Sequence, residues 1–274
     1  MAAKNYPSLK DRVVLITGGS RGLGREMALA LAEAGARISI TGSSDTPQLR
    51  KTAAQLEAWT GKGRSLFFAA DVRDFEACKR AVDETRKQFG RIDVLVNNAG
   101  LGMMPVSANY IKERPVFWEI GPEPWRMIMD TNIHGVFNMA RLSVPHMIAQ
   151  KFGKVINIST SEQTMVRKGF SPYGPSKAAL EAMSKVWAQD LEGTGVDLNV
   201  YLPGGATDTD IFPPGEDRRG ADGNLFPPSI MRPAILWLCA DDSNGQSGKR
   251  YIARFWDDSL PSAEAAAQAS SRKS

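Results

Sequence analysis

Short apolar runs alternate along the chain with longer stretches in which apolar residues recur at helical spacing. The runs that predict buried strands are residues 12–17, 37–41, 64–70, 92–97, 153–159, 196–202 and 249–255. The stretches that predict helices fall near residues 23–34, 46–60, 74–89, 123–150, 172–192 and 229–240. This alternation is typical of βαβ units, which build a parallel sheet with helices on both faces. A chain of 274 residues has room for one large α/β domain or two small ones.

Two segments interrupt the alternation. Residues 101–124 are rich in Met and Pro, and residues 204–228 contain four prolines and several glycines. Long loops in compact domains are often functional lids, and surface decoration is the other interpretation of the first segment. From residue 261 onward the chain is rich in Ala and Ser, so we expect residues 261–274 to form a disordered tail.

Composition and charge exclude several classes of protein. The chain is 42% hydrophobic, which supports a sizeable core, and its net charge of +4 is not concentrated in a dense Lys/Arg run. We therefore expect no nucleic-acid partner. No apolar run is long enough to predict a membrane span. Cys78 and Cys239 lie far apart and lack metal-ligand spacing, so we expect reduced thiols, no metal and a cytoplasmic setting.

A glycine-rich turn of sequence GGSRGLG, residues 18–24, joins the first strand to the first helix. Such a turn lets backbone N–H groups at a helix N-terminus approach a pyrophosphate, because a Cβ would hold the phosphate away. With Thr17 the spacing is TGxxxGxG, which differs from the commoner GxGxxG fingerprint. An ordinary strand–helix turn is the alternative.

Tyr173 and Lys177 lie four residues apart on a predicted helix, so their side chains share one face. A free tyrosine has a pKa of about 10, which is too high for proton transfer near neutral pH. An ammonium group beside the phenol favours the phenolate and lowers that pKa. A chance pairing of tyrosine and lysine on one helix face is the alternative.

Six motifs follow one another along the chain. In order they are the turn 17–24, Asp71-Val72, Asn97-Asn98-Ala99-Gly100, Asn132, the pair Tyr173 and Lys177, and Pro203-Gly204. Together they resemble the short-chain dehydrogenase/reductase family over nearly the whole chain. The resemblance implies a three-layer Rossmann fold of the α/β class, with a seven-stranded, mainly parallel sheet and helices on both faces. It also implies a single catalytic domain, residues 1–260, that uses NAD(P) to oxidise alcohols or reduce carbonyls.

The resemblance implies a role for each catalytic position. Tyr173 is the general acid in reduction and the base in oxidation, Lys177 binds the nicotinamide ribose, and Asn132 holds a water that links Lys177 to solvent. The family usually has a serine thirteen residues before the tyrosine, where this chain has Thr160. Threonine offers the same hydroxyl, with a methyl group that narrows the site. Ser161, or Ser159, takes that role if the register slips by one residue.

The residues at the end of the second predicted strand favour NADP(H) as the cofactor, with NAD(H) as the alternative. NAD-specific relatives place an acidic residue where this chain has Gly42. Ser43 and Ser44 offer hydroxyl donors to a 2′-phosphate, and Arg21 offers a charge-assisted contact. Asp45 argues against this choice if the loop shifts toward the ribose.

The residues predicted to bind the cofactor are Gly18, Ser20, Arg21, Gly22, Leu23, Gly24, Ser43, Ser44, Asp71, Val72, Asn98, Ala99, Gly100, Tyr173, Lys177, Pro203, Gly204, Thr207 and Thr209. The predicted substrate is a small carbonyl or alcohol of unspecified identity. Relatives are commonly dimers or tetramers built on two long helices, so we expect a homotetramer and next a dimer. A catalytically silent cofactor-binding protein is the main alternative, although such proteins usually lose the Tyr or the Lys. A lyase, isomerase or epimerase on a related fold is the third class.

Overall fold

One parallel sheet forms the centre of the computed structural model, which describes residues 4–212, 215 and 223–271. Its strands among these residues are β1 (Val13–Ile16), β2 (Arg37–Gly42), β3 (Ser65–Ala69), β4 (Val94–Asn97), β5 (Gly153–Ile158), β6 (Val196–Leu202) and β7 (Arg250–Ile252). Their order across the sheet is β3-β2-β1-β4-β5-β6-β7, and every pairing is parallel. The predicted seven-stranded Rossmann fold is confirmed. That residues 1–260 form one catalytic domain stays a prediction.

Helices cover both faces of the sheet. The helices are α1 (Gly22–Glu33), α2 (Pro47–Thr60), α3 (Phe75–Phe89), α4 (Tyr110–Glu113), α5 (Pro122–Met129), α6 (Gly135–Gln150), α7 (Glu162–Met165), α8 (Tyr173–Asp190), α9 (Arg232–Cys239) and α10 (Ser262–Ser271). A π-helical turn, Asp130–His134, joins α5 to α6. The sequence predicted one helix over 123–150, and the structure divides it at this turn.

Alternating side chains of the strands divide the core into two layers. Val14 and Ile16 of β1 pack in a cluster with residues of α1, α2, α9 and α10, whereas Leu15 packs on the other face with residues of α3, α6 and α8. Successive residues of a strand point to opposite faces, so a strand buried on both sides is apolar at most positions. Its few buried polar side chains are hydrogen-bonded, as Asn157 of β5 is to Asn97 and Ser184.

The predicted disordered tail is wrong for Ser262–Ser271, which form α10. Ala265 and Ala269 are fully buried in this helix, and the Tyr6 hydroxyl lies 2.9 Å from the Ser262 Oγ. Small side chains carry a weak hydrophobic signal in the sequence, yet they let a helix approach the core closely. Residues 272–274 lie outside the described residues.

The two segments that interrupt the alternation differ in what the structure describes. Segment 101–124 contains α4 and a 3₁₀ turn, Phe117–Glu119. In segment 204–228, residues 213–214 and 216–222 lie outside the described residues, so the predicted lid is not defined there. Of the helices in the described ranges, none is both long and apolar enough to cross a membrane.

Candidate active site

A cavity of about 1530 Å³ opens at the carboxyl ends of the parallel strands. This is where ligands bind in open α/β sheets, because the strand-to-helix loops surround a crevice there. All the catalytic and cofactor-binding residues predicted from the sequence line the cavity except Gly24, Ser44 and Asn132. In the part of the chain that the structure describes, no three His, Cys, Asp or Glu side chains are grouped to hold a metal ion.

The glycine turn has the geometry that a phosphate requires. Gly18 has φ of +63°, and a Cβ there would lie 2.9 Å from the Ala99 Cα. Gly24 has no space for a Cβ because the Asn98 amide occupies it. No side chain caps the N-terminus of α1, so its first N–H groups face the cavity with a partial positive charge. The turn therefore fits a pyrophosphate, and Gly24 contributes by packing.

Asn98 fixes the glycine turn to the loop after β4. Its Nδ2 donates to the carbonyl oxygens of Thr17 and Gly18 at 2.9 and 3.0 Å. The Thr17 hydroxyl in turn accepts from the backbone N–H groups of Asn98 and Ala99, both at 3.0 Å. These bonds explain why the motif after β4 accompanies the glycine turn in the sequence.

At the predicted adenine end, Asp71 and Val72 line the cavity. The Asp71 carboxylate pairs with the Arg73 guanidinium at 2.6 Å, and this hydrogen bonding lowers the pKa of Asp71. The Val72 carbonyl accepts from the Asn138 Nδ2 at 2.9 Å. Arg73, which also lines the cavity, and Asn138 thus hold these two residues in place.

The structure adds an ion pair that the sequence does not predict. The Arg21 Nη1 lies 2.8 Å from the Asp210 Oδ2, and both side chains are well exposed. Asp210 also lines the cavity, and it belongs to the loop after β6. The distance of 189 residues along the chain gives no local signal for this pair. Arg21 therefore has a competing partner for any anion that it binds.

At the predicted nicotinamide end, Pro203, Gly204, Thr207 and Thr209 line the cavity. Gly204 has φ of +88°, and its carbonyl accepts from Arg254 at 3.0 Å. Thr209 lies beside the glycine turn, since a Cβ at Gly22 would be 3.2 Å from the Thr209 Cγ2. Thr207 lies at the isolated bridge with Phe226.

Tyr173 begins α8 and forms a hydrogen bond with the Thr160 side chain. The neighbours of Thr160 have other partners. The Ser159 hydroxyl donates to Glu181 at 2.7 Å, and the Ser161 hydroxyl caps α7 by accepting from the Thr164 N–H at 3.3 Å. The structure therefore brings Thr160 to Tyr173 and directs both serines elsewhere.

Burial controls the pKa values of the Tyr–Lys pair. It raises the pKa of Tyr173, and the hydrogen bond with Thr160 only partly opposes this. It also lowers the pKa of Lys177 to about 8, with the Glu181 carboxylate opposing. The Lys177 Nζ donates to the Ile158 carbonyl at 2.9 Å. The expected lowering of the phenol pKa is therefore wrong for this structure, because desolvation dominates.

Asn132 lies fully buried in the π-helical turn, behind the cavity wall. Its amide donates to the Leu101 carbonyl at 3.0 Å and to the Ser176 hydroxyl at 2.9 Å, and it accepts from the Leu101 N–H at 2.8 Å. The side chain thus ties segment 101–124 to α8. Its predicted part in holding a water stays a prediction.

A second unpredicted group lies under the catalytic residues. The Arg250 Nε of β7 lies 3.0 and 3.1 Å from the two Glu181 carboxylate oxygens, and its Nη2 donates to the Thr160 carbonyl at 3.0 Å. Glu181 is one helical turn beyond Lys177, which is the only sequence signal for this group. The network joins β5, α8 and β7 where Thr160 is positioned.

Together the uncapped helix over a glycine turn and the Tyr–Lys pair in one cavity define a dinucleotide-binding oxidoreductase of the Rossmann type. The short chain dehydrogenase family model matches residues 12–219. The chain belongs to the short-chain dehydrogenase/reductase family. It is an NAD(P)-dependent oxidoreductase that transfers a hydride between nicotinamide and a carbonyl or secondary alcohol.

Individual relatives resemble the chain over most of its length. It is 30% identical over 247 residues to the 3-oxoacyl-[acyl-carrier-protein] reductase FabG of Thermotoga maritima, covering 88% of this chain and 95% of the relative. It is 32% identical over 246 residues to a short-chain type dehydrogenase/reductase of Picea abies, covering 85% and 88%. A crystal structure of 3-ketoacyl-(acyl-carrier-protein) reductase from Brucella melitensis, complexed with NADH, superposes with a TM-score of 0.76 at 25% identity, covering 89% and 96%.

Proposed function

We propose that the protein is an NADP(H)-preferring carbonyl reductase or alcohol dehydrogenase that acts on a small molecule. The observation that carries this proposal is the hydroxyl pair of Tyr173 and Thr160, with Lys177 one turn along α8, in the same cavity as the glycine turn. A proton donor and a hydride site must share one cavity for carbonyl reduction. No other group of titratable side chains in the described cavity lining combines these features.

The chain's own residues manage the proton. In reduction, the Tyr173 phenol donates its proton to the substrate oxygen, and the Thr160 hydroxyl hydrogen-bonds that oxygen. A raised pKa keeps Tyr173 protonated at neutral pH, which supports its role as the donor. Lys177 is charged below a pH of about 8. Nicotinamide, when bound, supplies or accepts the hydride.

Preference for NADP(H) is supported by the charges near Gly42. This glycine provides no carboxylate to repel a 2′-phosphate, and Ser43 beside it lines the cavity. Asp45 is held by Arg50 at 2.8 Å, and this hydrogen bonding lowers the pKa of Asp45. Arg21 supplies a cation at the cavity, provided that it leaves Asp210.

Dissociation constants for NADPH and NADH test this preference. We expect wild type to bind NADPH at least tenfold more tightly, because a charge-assisted hydrogen bond contributes about 1.5–3 kcal/mol. Arg21→Ala should weaken NADPH selectively, and Gly42→Asp should favour NADH. Gly42→Ala is the control, since a Cβ at this position lies 3.3 Å from the Leu49 Cδ2 and carries a packing cost of its own. Tighter binding of NADH by wild type would contradict the proposal.

A second candidate substrate class is a 3-oxoacyl thioester. Relatives with the printed activity of 3-oxoacyl-[acyl-carrier-protein] reductase support it. The cavity also has apolar side chains for an acyl chain, among them Met103, Met104 and Phe212. Comparing kcat/KM for a 3-oxoacyl thioester with that for a simple ketone separates the two candidates.

We also propose a homotetramer, or next a dimer, in the cytoplasm. Exposed apolar side chains on α6 and α8, among them Phe137 and Val186, support an assembly. Cys78 and Cys239 are both buried free thiols, which supports a reducing compartment.

A further inference from the structure

The cavity continues past Tyr173 into a region that we call the distal arm. The arm is bounded by segment 101–114, segment 161–170 and Ile211. These walls touch each other closely. A Cβ at Gly169 would lie 2.8 Å from the Arg114 Cα, and a Cβ at Gly102 would lie 2.6 Å from the Ile211 Cγ1. The arm is therefore a formed part of the cavity.

Three cationic side chains line the distal arm: Arg114, Arg167 and Lys168. None of them forms an ion pair with any residue in the described ranges. Arg167 is half-buried, whereas the other two are exposed at the rim. Among the described residues these three cations have no ion-pair partner, so their mutual repulsion favours an anion at this position.

Carboxylates of the cavity lining do not neutralise the arm. Asp71 is paired with Arg73, and Asp210 is paired with Arg21. Glu123 also lines the cavity, and it has no ion pair among the described residues. Within the described lining, and with the two paired carboxylates left aside, the three cations of the arm exceed the single carboxylate by two charges.

Arg167 packs on the segment that leads into α8, the helix that begins at the catalytic tyrosine. Its guanidinium carbon lies 5.1 Å from the centroid of the Phe170 ring, and the Tyr110 ring meets Phe170 edge to face at 5.6 Å. The Phe170 carbonyl accepts from the Gly174 N–H at 2.7 Å, so this group is attached to the start of α8. Stacking on the ring restricts the guanidinium without using any of its five N–H donors.

Tyr110 is influenced by both the stacked guanidinium and the catalytic phenol. Burial raises the pKa of its phenol to about 12, and the charges of Tyr173 and Arg167 both act on it, in opposite directions. Tyr110 is therefore within electrostatic range of both the catalytic phenol and the stacked guanidinium. Tyr173 and Arg167 line the same cavity, so one substrate can contact both.

We propose that the distal arm binds an anionic group, a carboxylate or a phosphate, that the substrate carries apart from its reacting carbonyl, with Arg167 as its main contact. The proposal rests on the proposed carbonyl reduction and specifies its substrate class. A planar guanidinium offers two parallel N–H donors to either anion. Arg114 and Lys168 at the rim attract the anion over a longer range.

Matched substrates test the proposal in the full-length protein. NADPH oxidation is followed with oxo acids of increasing chain length, with their methyl esters, and with a phosphate-bearing ketone. We expect kcat/KM for the best anionic substrate to exceed that of its neutral counterpart on the order of 10- to 100-fold. The carboxylate and phosphate series show which anion the arm accepts. Raising the salt concentration should reduce this preference.

Variants of Arg167 test whether this residue causes the preference for anionic substrates. Arg167→Met keeps an unbranched apolar stem and should reduce the ratio of kcat/KM between oxo acid and ester to near one, whereas Arg167→Lys should retain part of it. Arg80→Met is the matched control, because Arg80 is exposed on α3 and lies outside the cavity lining. Its ratio should equal that of wild type.

The two proposals fail in different ways. If neither ketone class is reduced with NADPH or NADH, the proposed function is wrong. If esters are reduced as well as oxo acids, or if Arg167→Met keeps the wild-type ratio, carbonyl reduction stands and the anion site is overturned. If Arg167→Met reduces no substrate and its circular-dichroism spectrum shows that it is unfolded, Arg167→Lys decides the question. Its ratio of kcat/KM between oxo acid and ester must then stay above one.

Discussion

The hydrogen bond between Tyr173 and Thr160 leads to the first prediction. Tyr173→Phe removes the phenolic proton while it keeps the ring, so turnover should fall by roughly 10²- to 10⁴-fold. The dissociation constant for NADPH should change little, because the glycine turn and the uncapped end of α1 remain. Steady-state kinetics and cofactor titration measure the two quantities. Turnover near that of wild type would remove Tyr173 from the mechanism.

Lys177 should make the stability of the protein depend on pH. Burial lowers its folded-state pKa to about 8, below the unfolded value of about 10.4. Between these values the unfolded chain binds a proton that the folded protein does not, so the free energy of unfolding rises with pH. The free energy of unfolding of wild type minus that of Lys177→Met should therefore increase from pH 8 to pH 10. The increase is at most about 1.4 kcal/mol per pH unit.

Urea unfolding at several pH values measures this difference. The same comparison with Lys185→Met, an exposed lysine of α8, corrects for the general effect of losing a lysine. A difference between wild type and Lys177→Met that falls as pH rises would contradict the inferred direction of the pKa shift.

Residue types and their spacing predicted the active site only in part. The hydroxyl at Thr160 was found by counting thirteen positions back from Tyr173, and the structure brings the two side chains together. The direction in which the pKa of Tyr173 shifts was not predicted correctly, because desolvation depends on the packing of the whole cavity. The pair of Arg21 and Asp210 joins residues far apart in the chain, so local sequence carries no signal for it.

At the scale of elements, Glu181 of α8 and Arg250 of β7 form a brace behind the end of β5. Glu181 also raises the pKa of Lys177, against the effect of burial. Glu181→Gln should therefore lower that pKa further. We expect the alkaline limb of the kcat/KM profile for carbonyl reduction to move to lower pH.

Glu181→Asp keeps the charge and is the matched control, so its alkaline limb should stay closer to that of wild type. Arg250→Lys tests the other half of the brace, because lysine retains the charge but not the forked contact to Glu181 and the Thr160 carbonyl. If Glu181 has a purely structural role, Glu181→Gln should lower kcat without moving the alkaline limb of the kcat/KM profile. That result would contradict the prediction.

Elements with strong apolar periodicity were predictable, and elements made of small or polar residues were not. The buried strands needed apolar side chains on both faces, which left a clear pattern. Helix α10 packs through alanines, whose small apolar surface gave no such pattern. The turn Asp130–His134 adds a π-helical register within a continuous periodic stretch, and periodicity alone does not show where such a turn occurs.

At the scale of the whole molecule, the strand order follows from general rules of chain connection. Right-handed crossovers and the βαβ pattern leave few arrangements for seven parallel strands. The family motifs then place the glycine turn and the Tyr–Lys pair at the same edge of the sheet. What the sequence did not show is the charge of the distal arm, since its cations come from two separate loops that meet only in the folded chain.

The exposed apolar surface of α6 and α8 leads to the last prediction. Phe137 and Val186 are 45% and 54% exposed, and the Phe137 ring lies 6.5 Å from that of Trp187. Large apolar side chains grouped on two neighbouring helices are typical of a protein–protein interface. We therefore expect a homotetramer, or a dimer, in which this surface is buried between copies of the chain.

Light scattering across a dilution series measures the assembly. Phe137→Glu and Val186→Glu place charges on the shared surface, so each should shift the mass toward that of one chain, because burying an unpaired carboxylate is costly. Trp59→Glu is the control, since Trp59 is similarly exposed, at 45%, but lies on α2 against the opposite face of the sheet. Its mass should equal that of wild type. A wild-type mass of one chain at every concentration would exclude the assembly, and a dissociating Trp59→Glu variant would place the interface elsewhere.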